Sequence, residues 1–90
     1  MVIVLPTLVM QAQAQSVADG LVAALCAQVA QGREAVLDAS ALDQFDSSAL
    51  AVILACRRAV LGLGGVFRVT GLPERAQALA KVYGVTALIV

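Results

Sequence analysis

Short apolar runs rich in β-branched residues alternate along this chain with longer, alanine-rich stretches of helical spacing, and that alternation commits it to an α/β fold. Val2-Ile3-Val4-Leu5 reads as a strand closed by Pro6, whose missing N–H interrupts regular pairing. Thr7 to Met10 either extends that strand or forms a second short one. Val17, Leu21, Ala24, Leu25 and Gln28 then recur at helical spacing, with Ser16 as the N-cap, Val29 closing the stripe and Gly32 ending the helix. Residues 35–39 form a buried strand. A long apolar helix follows from Ser47 to about Leu61, stopped by Gly62, Gly64 and Gly65. Residues 66–70 make the next strand, Gly71 turns the chain, and Pro73 suits the first position of a helix reaching about Tyr83. Residues 85–90 close the chain as a last strand or a packed extension. The expected architecture is one domain over residues 1–90, with one sheet and helices mainly on one of its faces.

What the chain lacks narrows its chemistry. Six Lys and Arg balance six Asp and Glu, no basic residue precedes Arg33, and the longest basic run is Arg57-Arg58, so no basic face for nucleic acid is expected. Histidine is absent, which removes the usual general base and the commonest metal ligand. Cys26 and Cys56 sit in alanine-rich stretches without metal-ligand spacing and read as small core residues rather than metal or disulfide partners. With no phosphate-binding glycine loop and no nucleophile beside a base, neither an enzyme nor a cofactor is expected. Ala12-Gln13-Ala14 imitates a signal-peptidase site, but the segment before it carries no basic residue and Pro6 breaks its apolar run. No uninterrupted apolar stretch is long enough for a membrane span, so the expected location is the cytoplasm. Zero net charge combined with a mean hydropathy of +0.93 predicts poor solubility alone, and therefore a chain that lives against a partner.

The most informative stretch runs from Asp38 to Leu54, DASALDQFDSSALAVIL. It joins a strand ending in an acid to a helix opened by Asp46-Ser47-Ser48. The plain reading of these polar residues is capping, because Asp46 or Ser47 can accept hydrogen bonds from the free N–H groups of the first turn. At about 100° per residue, Leu50, Ile53, Leu54, Val60 and Leu61 of the helix fall on the side facing the sheet. The opposite side holds Ala51, Ala55, Arg58 and Ala59, flanked by Val52 and Cys56, with Leu63 at its end. So smooth a face lets another polypeptide approach closely, although alanine is also simply a good helix former. Arg57 and Arg58 read as solvating groups at the helix end, and Tyr83 as core or hinge packing.

This stretch resembles the STAS domain family. Asp38-Ala39-Ser40 matches the family's strand end, with alanine for leucine, and Asp46-Ser47-Ser48-Ala49-Leu50 matches its helix start, with alanine for glycine. Leu5-Pro6, Gly71, Ala78-Leu79-Ala80-Lys81-Val82-Tyr83 and Gly84-Val85 look most like the MlaB subfamily, the STAS subunits of Mla phospholipid-transport ABC systems. The resemblance implies a single mixed sheet with helices mainly packed on one face. It also implies a non-enzymatic cytoplasmic subunit that binds the transporter's ATPase, within a complex containing a membrane permease that maintains outer-membrane lipid asymmetry. Partner-binding residues are then Asp46, Ser47, Ser48, Ala51, Val52, Ala55, Cys56 and Arg58. Self-association through the sheet edge stays open, because the N-terminus is shorter than in longer STAS domains. The alternative is an anti-sigma factor antagonist. In those relatives the residue at the Ser48 position accepts phosphate, so Ser48 is the candidate phosphoacceptor.

Overall fold

The computed structural model describes residues 2–89. The chain runs β1 (Ile3–Val4), β2 (Leu8–Val9), α1 (Gln11–Ala30), β3 (Ala35–Asp38), β4 (Gln44–Phe45), α2 (Ser47–Gly62), β5 (Phe67–Thr70), α3 (Glu74–Val82) and α4 (Thr86–Ile89). The α/β class and the strand–helix alternation hold. β3 is central, pairing parallel to β1 with Ile3 opposite Leu37, and to β5 with Leu37 opposite Val69. A second parallel pair, β2 with β4, sets Leu8 against Gln44 and Val9 against Phe45. Every pairing among the described residues is parallel, and the sheet is split in two, where a single mixed sheet was expected. Pro6 explains the split on one side, since it cannot donate to a ladder between Val4 and Leu8.

Along β3, Ala35 and Leu37 are fully buried while Val36 and Asp38 are half-buried; on β5, Arg68 and Thr70 are exposed. That alternation is a sheet with one face covered. The cover is α1 and α2, which pack chiefly on each other and then on the strands. Leu5, Val9, Leu25, Leu37, Ile53, Cys56 and Val60 form the fully buried centre. On the open face Arg68 pairs with Glu34 at 3.0 Å.

The helix boundaries depart from expectation at two places. α1 begins at Gln11, a turn and a half before Ser16, so Ser16 lies exposed inside the helix rather than capping it. Its first N–H groups are met from elsewhere. Gln13 Oε1 accepts from the Met10 N–H at 3.3 Å, and Asp46, distant in sequence, accepts from the Gln11 N–H through Oδ2 at 3.2 Å. Pro73 is the N-cap of α3 rather than its first helical residue. The C-terminal segment, expected as a strand or packed extension, forms the short helix α4 against α2 and α3; Val90 lies outside the described residues.

Candidate docking site

Parallel strands with returning helices bring the N-termini of α1 and α2, the C-termini of β3 and β5 and the loop before β4 to one end of the molecule. Asp46 organises that end. Its Oδ1 accepts from the Ser48 N–H at 2.8 Å while Oδ2 reaches Gln11, so one carboxylate ties the starts of both covering helices. The Ser48 backbone bond, chiefly, and then the Ser48 hydroxyl and the Gln11 N–H hold its pKa below the ordinary carboxylate value against opposing desolvation. Nearby, Asp38 accepts from the Ser40 N–H at 2.9 Å, which together with the Ser40 hydroxyl also lowers its pKa. Asp38-Ala39-Ser40 is therefore a side-chain-closed turn. Gly71, at φ +67°, packs directly over it: a Cβ there would lie 2.8 Å from Ser40 Cβ.

From this end α2 runs along the surface. Ser47, Ala51 and Arg58 are exposed, Ala55 is half-buried on the same outward side, and Asp46 and Ser48 are half-buried at the helix start. Val52 and Cys56, expected to flank this face, are buried, at 2% and 0% exposure, although Val52 still lines the groove beside it; Leu61, expected inside, is 44% exposed. The buried side is centred on Ala49, Ile53, Cys56 and Val60. At about 100° per residue it is rotated by roughly 70° from the expected one. The cause is α1. Its small residues Ala14 and Ala18 let it pack close along the Val52 side of α2, turning that flank into core, and the far flank is left to the looser cover of α3 and α4. Burial pushes the Cys56 thiol up to about 11, with Cys26 on α1 adding to the effect.

Two shallow grooves border the outward side. One, of about 160 Å³, lies between α1 and α2 along Ala14, Gln15, Ala18, Ala51, Val52 and Ala55. The other, of about 270 Å³, is lined by Ser47, Leu50, Ala51, Leu54, Tyr83 and Val85. Ala51 is the crest between them. α4 does not cover this crest; its approach segment only supplies Val85 to the edge of the second groove. Tyr83, expected as packing, is 58% exposed beside that groove. Sequence reasoning missed the contribution of α1, although the four-residue spacing of Ala14 and Ala18 was a signal for a close helix contact.

Among the described residues, no group of three or more His, Cys, Asp or Glu side chains could hold a metal ion, and no helix is long and apolar enough to cross a membrane. Neither the curated proteins nor the solved structures contain a significant match to the chain. The profile of the family described as "Mlab, STAS domain" matches residues 8–90. The match takes in both the Asp38-Ala39-Ser40 turn and the doubly tethered Asp46-Ser47-Ser48 helix start, and the chain belongs to the STAS domain family, in its MlaB-like branch.

Proposed function

We propose that this chain is a non-enzymatic accessory subunit that docks on the ATPase of a Mla-type phospholipid-transport ABC transporter. The docking surface is the start and outward side of α2: Asp46, Ser47, Ser48, Ala51, Ala55 and Arg58. Membership of a family of generally non-catalytic accessory domains supports this reading. The observation that carries it is the crest at Ala51, a low ridge of small side chains between two grooves that the chain's own C-terminal helix leaves open. A partner helix can seat on such a ridge with its own side chains in the grooves, and Ser47 offers a hydroxyl at the margin. In this role the chain is cytoplasmic and reaches the inner membrane only through the transporter. It acts by binding one conformation of the ATPase better than another, which is the only way a partner without catalytic groups shifts that equilibrium.

Ser47→Arg and Ala55→Glu each place a long charged side chain on the ridge without entering the core. Both variants keep the far-ultraviolet spectrum of the native chain and lose copurification with the ATPase. Undiminished copurification by both would remove this surface from consideration. The competing reading, an antagonist released by phosphate on Ser48, is less well supported. Ser48 is half-buried and bonded to Asp46, so a phosphate would meet a carboxylate already occupying the start of α2.

A further inference from the structure

We propose that Arg75 of α3 is a positioning residue that holds residues 43–46 in the form that presents Ser47 and Ala51 to the partner. This rests on the docking reading above. Arg75 is in the first turn of α3, where the helix dipole disfavours a cation, so its charge is not there to stabilise its own helix. Its contacts point to the recognition segment instead. Nη2 donates to the Asp43 carbonyl, and the guanidinium carbon lies over the Phe45 ring, 5.1 Å from the centroid. Phe45 immediately precedes Asp46, the residue that starts α2. The other side of the segment is held by Thr7, just before β2: the N–H groups of Asp43 and Gln44 both donate to the Thr7 carbonyl, each at 2.9 Å. Residues 43–46 are thus clamped between Thr7 and Arg75. Arg75 and Asp43 are both exposed, which makes this clamp local rather than part of the core.

The test compares the native chain with Arg75→Ala, Arg75→Lys and Ala55→Glu. In the free chain, Arg75→Ala speeds hydrogen exchange of the amides at 43–48 about tenfold, the worth of one charged-group hydrogen bond with a ring contact, and lowers the urea midpoint by no more than that same loss at constant slope. Affinity for the transporter ATPase falls measurably too, by at most the same tenfold, since only chains with the segment closed are competent to bind. Arg75→Lys does not rescue either quantity, because an ammonium lacks the planar fork that stacks on Phe45 while donating to Asp43. Unchanged exchange at 43–48 overturns the inference. So does full ATPase affinity for Arg75→Ala in an assay where Ala55→Glu abolishes binding. If Ala55→Glu binds like the native chain, the docking reading falls, and the exchange data alone decide whether Arg75 holds the segment.

Discussion

Replacing Gly71 by alanine tests how tightly the end of the molecule that carries Ser40 and Asp46 is built. At φ +67° a side chain is disfavoured for any L residue, by about 1 kcal/mol at the low end of the left-handed cost. At Gly71 there is a second cost. The new Cβ would lie 2.8 Å from Ser40 Cβ and 3.2 Å from both Ser40 Cα and N, and none of these is the loose end of a long side chain. Ser40 cannot retreat freely, because its N–H is held by Asp38 at 2.9 Å. Overpacking of this kind costs about 2 kcal/mol, so Gly71→Ala should lose about 3 kcal/mol in all. Gly64→Ala is the matched control: its φ is +75°, but nothing lies within 4 Å of the added Cβ, so it pays only the backbone cost of about 1 kcal/mol. Urea unfolding followed by circular dichroism reads both as shifts of the midpoint at constant slope. At about 4–8 °C per kcal/mol for a chain of this size, the pair should also separate by roughly 8–16 °C in Tm. Ser40→Gly in the Gly71→Ala background removes the nearest atom and should recover about 1 kcal/mol, a coupling that distant pairs do not show. Equal losses at Gly71 and Gly64, with no recovery from Ser40→Gly, would mean that the turn over Ser40 is not packed as described.

The remaining predictions concern titrating groups. With its pKa near 11, about one Cys56 thiol in a thousand is ionised at pH 8, so alkylation mapped by mass spectrometry should label Cys26 first and reach Cys56 only when the chain opens; equal labelling rates at pH 8 would contradict the packing of α1 on α2. Asp46 and Asp38 have folded pKa values below their unfolded ones, so their contribution is fully present above the unfolded value near 4 and disappears as the pH falls through the folded values. Carboxyl titration by nuclear magnetic resonance should show Asp46 protonating in that window, together with faster amide exchange at Gln11 and Ser48; an ordinary titration without change at those amides would show that Asp46 does not tie the two helix starts.

Local patterns were sufficient for much of this structure. Short apolar runs gave β3 and β5, the glycines after Leu61 gave the end of α2, and helical spacing gave the exposed Ala51 and Arg58. The misread start of α1 and flanks of α2 share one cause, a contact from a distant part of the chain. Near Met10 the local start signal is only Gln13, three residues on, while the acceptor for the Gln11 N–H is Asp46, thirty-five residues away in sequence. Helical periodicity gives the width of an apolar stripe on α2 but not which neighbour will cover which flank. Val52 and Cys56 lie on the flank that α1 covers, a neighbour that periodicity within α2 does not announce.

The same distinction bears on how the proposed docking surface can change. Its exposed members, Ser47, Ala51 and Arg58, make few contacts inside the chain, so substituting them alters what a partner meets and leaves the fold alone. Its shape comes from the ties behind it: Thr7 and Arg75 on either side of residues 43–46, Asp46 between two helix starts, and Gly71 over Ser40. Those ties join α1, α2 and α3 to the segments that flank β2 and β5, so each is coupled to packing away from the outward side of α2. A substitution there moves the whole ridge rather than one contact, and complementary change in a partner cannot easily restore it. Variation that retunes affinity should therefore concentrate on the outward side of α2, and loss of Arg75 or Gly71 should be repaired only by a second substitution within this same chain.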